Sequence, residues 1–204
     1  PNVIKKKDNE KKISGNIELI HQMVTNVMKA EINSQHGRFR LCDIDDERKL
    51  PELEFCFSVD RVNKQVINDY LGDDAKLGGE TDIEGLMTGY VDLVFEHKEK
   101  YYILDWKSNH LGNDLENYET DGLKAAMIGS NYHLQYMIYT VALKRWLEKK
   151  IDNFDFNTHF GGVVYVFLRG ARENRSTGIY YKNPGIAGIE KIDSALGGNI
   201  PQEV

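Results

Sequence analysis

The stretch TGYVDLVFEHKEKYYILDWKSN, Thr88 to Asn109, reads as two strands, Thr88 to Glu96 and Tyr101 to Ser108, joined by the polar turn His97-Lys98-Glu99-Lys100. Pairing Glu96 with Tyr101 sets Asp92 directly opposite Asp105. Facing residues of an antiparallel pair have Cβ atoms about 4.5–5.5 Å apart, and two like charges there are destabilising unless something cationic lies between them. Alternation along the strand puts Lys107 on the same face as Asp105, roughly 7 Å further along. Two carboxylates and one ammonium therefore converge.

The residues around them, Val91, Leu93, Val94, Phe95, Tyr102, Ile103, Leu104 and Trp106, are apolar on both faces of the hairpin. That pattern predicts an α/β fold with a mixed central β-sheet flanked by helices. The bland alternative is a pair of solvated strand-end acids with Lys107 as their salt-bridge partner. Against it stand the coincident register and the apolar flanks, since buried carboxylates are costly unless paired or bound to a metal. Oxygen ligands select a hard cation. Two carboxylates with room for water and a substrate phosphate suit Mg2+, with Mn2+ as a substitute. The Trp106 backbone carbonyl is a candidate third oxygen. Such a cation lowers the pKa of water and neutralises charge on a phosphoryl oxygen. Lys107 then has the role of a point charge that orients the attacking water or stabilises the transition state.

The Gly89-x-x-Asp92 element, the run Leu104-Asp-Trp-Lys-Ser-Asn109 and the helical Gln135-x-x-x-Tyr139 resemble the PD-(D/E)XK restriction-endonuclease-like nuclease superfamily in its RecB-like branch. The longer run from Gly85 to about Ala171, including YHLQYMIYTVALKRWL and HFGGVVYVFLRGA, is similar to the carboxy-terminal nuclease domain of exodeoxyribonuclease V beta subunits. The resemblance implies that Asp92, Asp105 and Lys107 are catalytic. It also implies that Gln135 and Tyr139 border the DNA path; the residues themselves make Asp92, Asp105 and the Trp106 carbonyl the expected metal ligands, with Ser108 and Arg169 expected in support of DNA binding. It further implies single-stranded DNA ends as substrate, a helicase part of a parent chain, and alpha and gamma subunits as partners. The family's metal-binding histidine, on an upstream helix, is carried onto no residue here: His21 aligns with a later helix and His36 lies in a polar loop. Pro1 and the lysine-rich start suggest a single nuclease domain excised from a larger chain, with a helical N-terminal extension over 1–50 and a nuclease core over 51–196. If the histidine helix was left outside, metal affinity and activity are expected to be weakened.

At 204 residues, with four prolines and no repeat or linker, the chain suits one well-buried domain. No apolar stretch approaches membrane-spanning length and no signal peptide is visible, so a cytoplasmic protein without a membrane partner is expected. Cys42 and Cys56 have no metal spacing. The net charge of −6 argues against coating nucleic acid over the whole surface, although basic residues can cluster. Two candidate clusters are Lys144, Arg145, Lys149 and Lys150 at a helix end, and Arg169, Arg172 and Arg175 after a strand. The arginines suit phosphate contacts without base reading.

Periodicity predicts helices over Asn16 to Ile32, Lys64 to Leu71, Asp121 to Ile128, Asn131 to Lys150 and Ile186 to Leu196. Strands are expected over Glu52 to Asp60, Gly161 to Arg169 and, at an edge, Gly178 to Lys182. Polar segments are expected from the first helix to Pro51 and over Gly72 to Glu84, with a frayed GGNIPQEV end. The leading functional reading is a metal-dependent DNA phosphodiesterase. The alternatives are a non-catalytic DNA-binding or docking module of the same assembly and a small-phosphoester hydrolase. No G-x-x-x-x-G-K-[ST] is present, so no nucleotide-driven motor lies in these residues.

Overall fold

A computed structural model describes residues 2–60, 62–72 and 84–197, with side chains from Asn16 onward. In chain order the elements are α1 (Asn2–Lys29), β1 (Ile32–Ser34), β2 (Gly37–Phe39), β3 (Lys49–Val59), α2 (Lys64–Leu71), β4 (Gly85–His97) and β5 (Lys100–Lys107). There follow α3 (Thr120–Gly129), α4 (Tyr132–Lys150), the single turn α5 (Phe156–His159), β6 (Phe160–Phe167), β7 (Ile179–Lys182) and α6 (Ile186–Ala195). The reading of the Gly72 to Glu84 loop falls mostly outside the described residues, as does that of the end beyond Gly197.

The central hairpin turns in two residues, not four. Lys98 and Glu99 both take left-handed backbone, at φ 53° and 61°, and this lets His97 pair with Lys100. Such a turn matches the twist of the flanking strands. The register is the expected one, with Glu96 opposite Tyr101 and Leu93 opposite Leu104.

Five strands form one mixed sheet in the order β3-β4-β5-β6-β7, with β5 and β6 parallel and the other pairs antiparallel. A parallel pair needs a long crossover, and the segment carrying α3, α4 and α5 supplies it. Every residue of β6 is buried, as its unbroken apolar sequence demands of an interior strand. Together with the covering helices this is the expected α/β architecture, a PD-(D/E)XK-like fold.

One face of the sheet packs under α2, α3, α4 and α6, through Ile67, Met127, Met137, Val141, Leu147 and Ile192 among others. The opposite face packs under a second cluster, in which Val27, Ala30, Ile32, Phe39, Leu41 and Ile44 cover Leu93, Phe95, Tyr102 and Leu104. Fully burying a side chain such as Leu104 or Ile103 contributes roughly 1.5–3 kcal/mol, so both faces stabilise the sheet.

The N-terminal 50 residues depart from the expected helical extension. After α1 the chain forms the β1–β2 hairpin and two 3-10 turns, Leu41–Asp43 and Asp46–Arg48, and β3 already begins at Lys49. The apolar residues Ile32, Phe39, Leu41 and Ile44 are scattered among polar ones, which hid their shared burial. The α1 stripe also behaves differently from its periodicity. Val27 is buried, but Ile17, Ile20 and Val24 are 63%, 58% and 51% exposed, because only the last turns of the helix pack on the core. Its end is pinned where Lys29 pairs with Glu173 at 2.9 Å and the Asn174 N–H donates to the Lys29 carbonyl.

Candidate functional site

Strand β4 changes character at Asp92. Val91 and Val94 both face the α4 core although they are three residues apart, whereas Leu93 and Phe95 face the other core. Simple alternation is therefore interrupted at this point. The neighbouring strand yields at the same level: Pro51 pairs with Leu93 and Leu53 with Val91, while Glu52 between them takes φ 51°. On the other side the β4–β5 ladder ends at Leu93 and Leu104. Asp92 thus continues the register toward Asp105 without a backbone pair. Its carboxylate Oδ2 instead accepts the Trp106 N–H at 2.8 Å, standing in for a ladder bond.

Asp105 and Lys107 are both buried and lie close together, with Lys107 Nζ 2.6 Å from Asp105 Oδ2. The same ammonium donates to Gln135 Oε1 at 2.9 Å and sits 3.9 Å from the centre of the Tyr132 ring. Gln135 Oε1 also accepts the Tyr165 hydroxyl at 3.1 Å, and Gln135 Nε2 donates to the Tyr139 hydroxyl at 2.9 Å. These bonds fix the amide in one orientation. Spacing of four residues puts Gln135 and Tyr139 on one stripe of α4, and the packing of α4 over β5 delivers that stripe to Lys107.

Tyr132 and Tyr165 are members of this cluster that the linear sequence did not single out. Tyr165 is the register partner of Asp105 on β6. An interior β6 was legible in its composition, but nothing local sets the register of a parallel pair separated by a long crossover. Tyr132 precedes Gln135 by three residues, a helical spacing that offered a weak signal, and its hydroxyl donates to Asn109 Oδ1 at 3.0 Å.

Burial holds the Asp105 carboxyl above its usual range. The pull of Lys107 works against that shift, and the negative charge of Asp92 adds to it. A single ammonium at 2.6 Å therefore does not fully offset removal from water, in keeping with the cost of buried ion pairs. The Tyr139 phenol is likewise pushed up, first by burial and then by the negative charges of Asp105 and Asp92.

Whether this donor set suits a cation can be judged from Asp105 itself. Its Oδ2 is buried, with the Lys107 ammonium as its close partner at 2.6 Å. A buried anionic oxygen that one ammonium only partly offsets, near the charge of a second carboxylate, fits a hard divalent ion. Among the described residues no three His, Cys, Asp or Glu side chains converge, so two carboxylates would need backbone or water oxygens to complete the shell.

The remaining candidates separate clearly. Ser108 is exposed, and its carbonyl accepts Arg169 Nε at 3.1 Å, which ties the exits of β5 and β6 together. Arg172 turns its guanidinium back onto the Arg169 and Ala171 carbonyls, while Arg169 and Arg175 are exposed. The cluster at the end of α4 is largely structural: Arg145 donates to Asp193 on α6 at 2.6 Å and Lys144 bridges Glu148 and Asp193. His21 is exposed on α1, and His36 lies at the β1–β2 turn beside Lys100, at the far end of β5 from Lys107. Neither approaches the acids. Among the described residues no helix is long and apolar enough to cross a membrane.

No protein-family model matches the chain. RecBCD enzyme RecB subunits from several bacteria are similar to it, among them the following three. The Haemophilus influenzae protein is 35% identical over 161 residues, 76% of this chain. The Escherichia coli K12 protein is 43% identical over 122 residues, 59% of this chain. That of Buchnera aphidicola subsp. Acyrthosiphon pisum is 36% identical over 177 residues, 82% of this chain. The chain spans 13%, 10% and 15% of these relatives' lengths. Extensive identity confined to a domain-sized segment of such long proteins assigns this chain to the RecB family, as a RecB-related domain.

Proposed function

We propose that this domain is a metal-dependent DNA phosphodiesterase that serves a RecBCD-type helicase-nuclease in DNA repair and recombination. The observation that carries the reading is the convergence of Asp105, Lys107 and Gln135 within hydrogen-bond and ion-pair distance, beside an Asp92 held by the Trp106 N–H. Mg2+ is the expected cofactor, with Mn2+ able to replace it. Asp92, Asp105 and the Trp106 carbonyl would hold it. When bound, such an ion supplies positive charge against phosphoryl oxygens and lowers the pKa of water.

The rest of the chemistry falls to the protein's own groups. Lys107 presents an ammonium whose position Gln135 and the Tyr132 ring determine, ready to orient a water molecule or stabilise charge on the phosphoryl group. Tyr139 accepts from Gln135 and so keeps its own O–H to donate toward a phosphate. Arg169, exposed at the exit of β6, is suited to a backbone phosphate. Single-stranded DNA ends are the substrate this arrangement suits, delivered by a helicase part of a longer chain and by alpha and gamma partner subunits. The whole of residues 1–204 acts as one nuclease domain in this reading.

A second reading, a DNA-binding or docking module without turnover, draws on the missing third acidic or histidine ligand among the described residues. Incubating the chain with labelled single-stranded DNA, with and without Mg2+, separates the two. Mg2+-dependent cleavage that disappears in Asp105→Ala supports the enzyme; cleavage that survives Asp105→Ala rules out the assigned site; binding in Ca2+ with no cleavage in Mg2+ supports the module.

A further inference from the structure

A groove of about 390 Å³ shares Gln135 and Tyr139 with the candidate site. Phe55, Met87, Leu134 and Ile138 make it apolar, and Thr88, Gly89 and Asn131 complete it. None of these residues carries a formal charge, in contrast to the Asp92, Asp105 and Lys107 cluster next to it. Its size lies at the lower end of the roughly 300–1,000 Å³ typical of small-ligand sites.

We propose that this groove is a nucleobase subsite, which takes one unpaired base next to the phosphate presented to Asp92 and Asp105. The inference rests on the DNA reading above and adds how the strand is gripped. A neutral, partly aromatic groove is a poor host for phosphate and a good one for a flat base with polar edges. Phe55 and Tyr139 form its aromatic corner, with ring centres 5.8 Å apart at 68°. The Phe55 ring can lie across β4 because its register partner is Gly89, where a Cβ would approach Phe55 Cζ to 2.6 Å. Gly89 thus belongs to the site for a steric reason: any side chain there would displace the stacking surface. Phe55 lies on β3, an edge strand, so this corner of the groove stands at the border of the sheet. Every base has a stackable face, so this grip is tolerant of sequence.

The test uses a labelled oligothymidine and the same strand with a single abasic residue. In Mg2+ the chain is expected to cut the phosphate flanking the abasic position about tenfold more slowly than the matching phosphate of the intact strand. Phe55→Ala should slow the intact strand to about the abasic rate and so abolish the difference. Equal cleavage of both strands by the unmodified chain overturns the subsite, while leaving the nuclease reading intact. If neither strand is cut, the nuclease reading fails and fluorescence anisotropy in Ca2+ decides the groove. A fully abasic strand binding as tightly as oligothymidine would then overturn it and leave the groove to a protein side chain; roughly tenfold weaker binding supports it.

Discussion

The two halves of β5 share a strand and have opposite chemistry. From Lys100 to Leu104 it is hydrogen-bonded to β4 on one side and, from Tyr101, to β6 on the other, with Tyr102, Ile103 and Leu104 fully buried. From Asp105 to Lys107 it keeps β6 and loses the β4 ladder, and an acid and a base take the place of apolar side chains. The first half stabilises the fold. The second carries a buried charge that the fold only partly offsets, which is how a site keeps capacity for a ligand.

The sharpest way to break this contrast is a pair of substitutions one residue apart. Asp105→Asn, which keeps an oxygen beside Lys107, is expected to lower Mg2+-dependent cleavage of single-stranded DNA by about 10²–10³-fold, with the urea midpoint much less affected. Leu104→Ala should do the reverse, costing about 2–5 kcal/mol by urea denaturation while the rate per folded molecule persists. If both substitutions act mainly on stability, the second half of β5 is only a strand end.

At Asp92 structure and chemistry can be separated on one residue. Asp92→Asn retains an oxygen for the Trp106 N–H and should unfold close to the unmodified chain, yet lose most cleavage. Asp92→Ala strands that N–H, with an additional stability loss of about 1–3 kcal/mol. Equal melting of the two variants would mean that the 2.8 Å contact does not replace the missing ladder bond.

Tyr165→Phe removes one hydroxyl that Gln135 accepts, at an expected cost of about 1 kcal/mol. Cleavage should fall several-fold as the amide loosens, and Lys107→Ala should make the two effects non-additive in a double-mutant cycle. Additive losses would show that Tyr165 serves packing alone.

The smallest effect is expected at the opposite end of the sheet. Asp155 caps the turn before β6, accepting the Thr158 N–H at 2.7 Å, and that side-chain bond, reinforced by the backbone, holds its carboxyl below the usual range. A depressed folded value means stability present above the unfolded pKa and lost as pH falls through the folded one. Asp155→Ala should therefore melt slightly lower at neutral pH, with the difference closing under acid conditions and cleavage unaffected.

Much of the fold was legible because it is local. A hairpin carries its own register, so pairing Glu96 with Tyr101 was readable from the turn, even though the turn proved two residues shorter. Helical spacing located α2, α3, α4 and α6 to within a few residues, and unbroken apolar composition marked β6. The N-terminal region resisted the same treatment. Its hairpin is three residues a side, too short for a period to show, and the exposed α1 stripe carries the same pattern as a buried one. The basic residues at the end of α4 needed the fold for a related reason. Composition could group Lys144 and Arg145, but only contact with Asp193 shows that they fasten α4 to α6.

What the sequence determined alone is that Asp92, Asp105 and Lys107 occupy neighbouring positions on adjoining strands, because side-chain alternation and a short turn are properties of contiguous residues. Tertiary structure decided everything that needed distant segments: the break in alternation at Asp92, the docking of Gln135 and Tyr139 over Lys107, and Tyr165 alongside Asp105. A turn constrains a handful of dihedral angles, whereas a crossover of some fifty residues leaves its ends free until the core packs. The residue types of this candidate site were written locally, and their geometry was assembled by burial.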